Sequence, residues 1–128
     1  VGELRGADLT GYAEAWRERA RQDSRARDAR RTQALAVAGR LAHILVEEHG
    51  ARDVYLFGST ATGRHYRLDS DIDLAVSGIA PERQIRVDAE VTLMATPGFG
   101  ADLLFLEDAP EIFRDRVRKE GIRLGQTR

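Results

Sequence analysis

The sequence predicts an α/β domain: a small sheet of three or four strands flanked by helices and preceded by a helical extension. Three observations carry this prediction. Apolar residues recur at helical spacing up to Gly50, short β-branched and aromatic runs begin after it, and two further helical stretches are interleaved with those runs. A chain of 128 residues has the size of one domain and buries enough surface for a single core. It contains no cysteine, which excludes a disulfide scaffold, a zinc ribbon and a cysteine nucleophile.

From Leu9, the positions Tyr12, Ala13, Trp16 and Ala20 follow a helical period, and Leu35, Ala38, Leu41, Ala42 and Leu45 restore it after a gap. The gap, with Asp23 and Ser24 as cap-type residues, predicts two helices over 8–22 and 25–49; one continuous helix is the alternative, because neither proline nor glycine falls between Gly11 and Gly39. Gly50 is the expected stop. The run Val54-Tyr55-Leu56-Phe57 ending at Gly58-Ser59 reads as a strand entering a turn, and Ile72 to Val76 as a second strand. Pro81 opens a helix over 82–95 that Pro97 and Gly98 close, and residues 102–106 form a third strand. A last helix over 110–119 stops near Gly121, and Ile122 to Leu124 add a short edge strand. The organisation expected is an extension over residues 1–30 and a domain over 31–128.

The net charge of −1 conceals an uneven distribution. Residues 17–31 hold seven arginines against Glu18, Asp23 and Asp28, while the rest of the chain is acidic. The belt reads as a solvated helix face, a partner-binding surface or an RNA-binding patch. Only Trp16 is available for base stacking beside it, so nucleic acid is not expected as a direct ligand. Trp16 and Tyr12 are expected in a core or an interface. No run is long enough to cross a bilayer and the opening residues lack an apolar leader, which predicts a soluble, cytoplasmic protein. His65 lies in a polar loop with no second histidine at ligand spacing and reads as an ordinary exposed residue, and His43 and His49, within the predicted helix, read as structural or exposed.

The chemistry concentrates at three places. Asp71 and Asp73, two apart on a strand, send both carboxylates to one face, roughly 6–7 Å apart along the chain. Like charges so placed repel and resist desolvation unless a cation compensates, and hard oxygen ligands suit magnesium. Asp102, opening the third strand, brings a further carboxylate from a neighbour, giving the set that a two-metal phosphoryl- or nucleotidyl-transfer site requires. Upstream, Gly58-Ser59 and Thr60-Ala61-Thr62-Gly63 make a small-residue turn whose backbone can approach a phosphate closely, with a serine hydroxyl as an added donor.

The run Phe57-Gly58-Ser59-Thr60-Ala61-Thr62-Gly63 followed by Asp69-Ser70-Asp71-Ile72-Asp73-Leu74-Ala75-Val76 resembles the Gly-Ser and Asp-x-Asp motif of the DNA polymerase beta nucleotidyltransferase superfamily. Within it the sequence is most similar to the minimal nucleotidyltransferases, or MNT proteins. The segments starting at Asp102 and at Phe113 resemble the end of MNT domains, so the likeness covers about residues 33–125. The resemblance implies the nucleotidyltransferase fold, with a small mixed sheet. It implies that Gly58, Ser59 and Ser70 contact the nucleotide, that Asp71 and Asp73 bind magnesium, and that Asp102 completes a two-ion catalytic site and helps deprotonate the attacking hydroxyl. Two departures stand out. Eleven residues separate Ser59 from Asp71, one more than is common, and Thr62 replaces an arginine, leaving Arg64 or Arg67 to substitute in triphosphate binding.

Larger relatives carry an extra domain for the acceptor, and only 26 residues follow Asp102, so the acceptor is expected on another macromolecule. Resemblance to MNT proteins implies an antitoxin of a HEPN–MNT toxin–antitoxin pair that transfers AMP from ATP to a tyrosine hydroxyl of a helical HEPN-type toxin. Two alternatives stay open: a non-catalytic antitoxin or adaptor that acts by complex formation, and a homo-oligomeric, dimeric enzyme acting on a small molecule.

Overall fold

The computed structural model of the chain describes residues 6–126. Helix α1 spans Gly6–Glu47, strand β1 Asp53–Phe57, helix α2 Gly58–Thr62 and strand β2 Ile72–Ser77. Helix α3 covers Gln84–Ala95, strand β3 Ala101–Phe105, helix α4 Glu111–Glu120 and strand β4 Ile122–Gln126, with single 3-10 turns at Pro81–Arg83 and Leu106–Asp108. The strands form one mixed sheet in the order β3-β2-β1-β4. β1 runs antiparallel to both β2 and β4, whereas β2 and β3 are parallel, as the α3 crossover between them requires.

The two helices expected over 8–22 and 25–49 are one helix of 42 residues. Asp23 and Ser24 are exposed in mid-helix, and neighbouring arginines, alanines and glutamates favour continuation. An Arg21–Glu18 ion pair at 2.6 Å adds local support across one turn. The helix ends at Glu47, so His49 lies beyond it. Gly50 then adopts a left-handed conformation (φ 69°), and the Ala51 N–H donates to the Leu45 carbonyl. Proline opens a 3-10 turn at 81–83, displacing the start of α3 to Gln84. The edge strand runs on to Gln126, beyond the expected Leu124.

One sheet face carries Val54, Leu56, Ile72, Leu74 and Val76, which pack against Leu41 and Leu45 of α1 and Val87 and Val91 of α3. Leu41, Leu45, Leu56, Ile72 and Leu74 are essentially inaccessible to water, and each contributes about 1.5–3 kcal/mol by burial. On the other face, α4 covers Tyr55, Ala75 and Leu104 with Val117 and Phe113, and Phe113 meets Phe57 edge to face at 5.8 Å. This cover is partial. By the two-residue alternation of strands, Phe57, Asp73 and Asp102 lie on that same face at its open end. Tyr12 and Trp16 are 62% and 66% exposed, so neither belongs to the core. No helix among the described residues is long and apolar enough to cross a membrane.

Candidate active site

Strand pairing brings the three predicted carboxylates to one edge of the sheet. Asp73 is opposite Asp102 across the parallel β2–β3 pair and opposite Phe57 across the antiparallel β1–β2 pair. Asp71 immediately precedes β2, where the Ile72 N–H donates to the Gly100 carbonyl at 2.9 Å. Two glycines admit the carboxylates. A Cβ on Gly58 would collide with Asp73 Oδ2, and one on Gly100 would collide with Asp71 Oδ1, so backbone and carboxylate are in direct contact at both places. Gly58 also holds φ at 74°, which independently favours glycine.

The electrostatics match the geometry. Burial pushes the Asp73 carboxyl up to about 6, and the charges of Asp102 and Asp71 push in the same direction. A half-buried carboxylate beside two more exposed ones is a site short of positive charge.

Ser59 lies on α2, a helix of five residues fixed from three sides. Gly63, left-handed at φ 74°, closes it with its N–H on the Ser59 carbonyl at 2.7 Å. The fully buried Thr60 donates its hydroxyl to the Asp71 carbonyl at 3.0 Å, tying α2 to the start of β2. From α1, Arg31 donates through Nε to the Thr60 carbonyl and through Nη2 to the Ala61 carbonyl, both at 2.9 Å. Arg30 stacks on the Phe99 ring at 3.7 Å and donates to the Gly98 carbonyl, which secures the loop leading to Gly100. These two arginines belong to the basic belt in sequence, yet in the structure they rivet α1 to both sides of the carboxylate edge. Tyr66 is buried beside them, with its phenol pushed up by burial against the opposing charges of Arg30 and Arg31.

Gly58 and Ser59 also line a cavity of about 510 Å³ between α2 and α4, together with Phe57, Thr62, Arg64, His65, Phe113, Arg116, Val117 and Glu120. Arg64 lines the same cavity as Ser59 and Thr62. Arg67 does not: it is exposed, pairs with Asp69 at 3.4 Å and borders a different groove. The segment of Phe113 and Arg116 resembles the end of MNT domains, but nothing in its spacing connects α4 to the turn after β1, so neither residue is named as a site residue from the sequence. Ser70 is half-buried in the connecting loop, where its hydroxyl oxygen accepts the Arg67 N–H at 2.8 Å and its own N–H donates to the Arg67 carbonyl. It shapes the turn ahead of Asp71 and is not among the residues lining the cavity.

A second group, Glu48, His49 and Glu90, gathers at the other end of the sheet, near the start of β1. Its hydrogen bonding disfavours a metal. Arg83 Nη2 lies 3.0 Å from His49 Nδ1, and a guanidinium can only donate, so Nδ1 accepts and Nε2 keeps the proton that faces Glu90 Oε2 at 3.0 Å. The nitrogen a cation would need thus carries the ring proton, although Nε2 is buried without a hydrogen-bond partner.

Residues 40–127 match the family model for the polymerase beta nucleotidyltransferase domain. A solved structure provisionally assigned as a minimal nucleotidyltransferase is 30% identical, with 74% of this chain and 89% of that chain covered and a TM-score of 0.50. The crystal structure of a toxin–antitoxin with AMP-PNP aligns at 24% identity over 70% of this chain and 74% of that chain, with a TM-score of 0.55. A provisionally assigned nucleotidyltransferase from Sulfolobus solfataricus aligns at 22% identity over 79% of this chain and 87% of that chain, with a TM-score of 0.52. Comparison with curated proteins finds no match.

Proposed function

The chain belongs to the polymerase beta nucleotidyltransferase family, and from that premise we propose that it transfers AMP from ATP, with magnesium, to a tyrosine hydroxyl of a helical HEPN-type protein, as the antitoxin of a HEPN–MNT pair. The observation that carries the catalytic part is the convergence of Asp71, Asp73 and Asp102 on one edge, beside Gly58 and Ser59. The donor and the kind of partner rest on the resemblance to MNT proteins; AMP-PNP is what a toxin–antitoxin of the same fold was crystallised with.

The three carboxylates fit a divalent cation. They are hard oxygen donors, and where they meet the Asp73 carboxyl is raised first by burial and then by the charges of Asp102 and Asp71. Asp71, Asp73 and Asp102 would hold magnesium, which when bound supplies charge neutralisation for a triphosphate. Gly58 and Ser59 offer the phosphates a closely approaching backbone and a hydroxyl, and Arg64 and Arg116 line the same cavity as cations. Asp102, exposed at the open end of its strand, would take the proton from an incoming hydroxyl. The acceptor oxygen then bonds to the α-phosphorus, the bond from that phosphorus to the bridging oxygen breaks, and pyrophosphate leaves.

The test is transfer of label from α-labelled ATP to a purified HEPN-type partner. Labelled partner with the native chain and none with Asp71→Ala or Asp73→Ala supports the reading. Label that is indifferent to both changes overturns it, and neutralisation of the partner without any label assigns the chain to binding alone.

A further inference from the structure

Helix α1 is twice as long as the domain needs. Arg30 and Arg31 fix it level with the carboxylate edge, through Gly98, Phe99, Thr60 and Ala61, and its buried residues begin only at Ala34. The part before Arg30 continues past that edge for roughly 36 Å at 1.5 Å per residue. Along this arm, residues 9–29 are exposed except for a half-buried Ala13. Two properties of the arm are unexplained by its own chain. Leu9, Tyr12 and Trp16 form an apolar stripe at helical spacing, each more than half exposed. The charge is also polarised: residues 6–16 carry Asp8 and Glu14 with no basic residue, whereas residues 17–29 carry five arginines against three acids.

We propose that the arm pairs antiparallel with the arm of a second copy of this chain. That orientation sets the acidic, aromatic first half of each arm against the basic second half of the other, and it also opposes the two helix dipoles favourably. A parallel pair would align like with like. The charges needed are free for the purpose. Glu18 is satisfied by Arg21 within its own helix, while Glu14, Arg25 and Arg27 have no ion-pair partner among the described residues. The second half lacks a continuous apolar stripe, but arginine stems cover aromatic surface well, as Arg19 already does over Trp16 at 4.9 Å. A second copy is the partner whose charge pattern is known to be complementary, because it is the same pattern reversed.

Pairing over the full arm brings Leu9 of one copy near Ala26 of the other and sets Glu14 opposite Arg21, one helical turn from Arg25. Asp23 and Arg27 border a groove of about 770 Å³ with Tyr66, Leu68 and Asp69, next to the loop that leads to Asp71. The aromatic end of each arm then lies beside the other copy's catalytic edge.

Sedimentation velocity of the full chain, from micromolar to hundreds of micromolar, tests the pairing. A dimer is expected that weakens as salt rises. Glu14→Arg and the double change Arg25→Glu with Arg27→Glu should each raise the dissociation constant by about tenfold, and mixing the two variants should recover part of the lost association. Circular dichroism of each variant confirms that the helix is intact. Because the chain has no cysteine, Leu9→Cys and Ala26→Cys chains can be mixed and oxidised; a disulfide between unlike chains is expected, in preference to the Leu9→Cys homodimer. A chain that stays monomeric throughout overturns the proposal. So does a dimer that ignores salt and both charge variants, or one that cross-links preferentially through two Leu9→Cys chains.

Discussion

The Asp73 carboxylate rests on the backbone of Gly58, with no room between them for a methyl group. One contact therefore couples the turn after β1, which would receive phosphate, to the central carboxylate of the set proposed to hold magnesium. Gly58→Ala has two costs, a side chain at φ 74° and a collision with Asp73 Oδ2. We expect about 1–3 kcal/mol of destabilisation by urea unfolding and loss of transferase activity even where the chain still folds. Gly100→Ala provides the contrast. It collides with Asp71, but its φ is ordinary and the Asp71 side chain is exposed and free to swing away, so activity should fall with a much smaller change in the unfolding midpoint.

Burial, then Asp102, then Asp71 hold the Asp73 carboxyl at about 6, above its ordinary 3.8. The folded chain therefore takes up this proton at a higher pH than the unfolded chain does, and stability is gained as pH falls through 6 and lost as pH rises through it. Asp73→Asn removes the penalty of the charged form. After allowance for solvent screening of a half-exposed group, the gain is about 1 kcal/mol, or about 3–5 °C in melting temperature, near pH 7, shrinking toward zero below about pH 4. Magnesium should raise the melting temperature of the native chain and leave that of Asp73→Asn nearly unchanged. A variant that melts below the native chain at neutral pH would contradict this account of the site.

Arg64 and Arg116 reach the cavity beside Ser59 from different elements, the loop after α2 and the middle of α4. If both bind the triphosphate, Arg64→Ala and Arg116→Ala should each raise the KM for ATP by about tenfold, equivalent to one charged hydrogen bond, with a smaller effect on kcat. Arg67→Ala, in the neighbouring groove and paired with Asp69, should change neither by more than about twofold.

What could be read in the sequence was whatever lies close together along the chain. Gly58-Ser59, Asp71 with Asp73, and Asp102 at the head of its strand could be named because period, spacing and strand direction are local properties, and strand pairing then brought them to one edge. The break expected at Asp23 and Ser24 did not occur, since cap-type side chains end a helix only when the backbone has a competing turn to enter, and here it does not. The basic belt looked uniform because composition cannot separate an arginine in water from one whose carbonyl partners are supplied by a distant loop. Arg30 and Arg31 differ from Arg25 and Arg27 only through Gly98, Thr60 and Ala61. The place of Arg116 and Phe113 at the cavity was illegible for the same reason: the cavity exists only after α4 has folded back over Phe57.

Arg31 offers the sharpest separation of positioning from chemistry. Its guanidinium touches none of the three carboxylates, yet its two hydrogen bonds, to the Thr60 and Ala61 carbonyls, occupy the open end of α2 and so set the angle at which Ser59 meets the cavity. Arg31→Ala leaves two carbonyls without those donors and should cost about 1.5–3 kcal/mol in unfolding free energy. With α2 loosened, the KM for ATP should rise more than kcat falls, while magnesium binding at Asp71, Asp73 and Asp102, read as the melting shift on adding the ion, stays close to native. Arg31→Lys should recover only part of this, because an ammonium cannot reproduce the fork that reaches two successive carbonyls. A full rescue by lysine would show that the charge, and not the paired geometry, is what α2 requires.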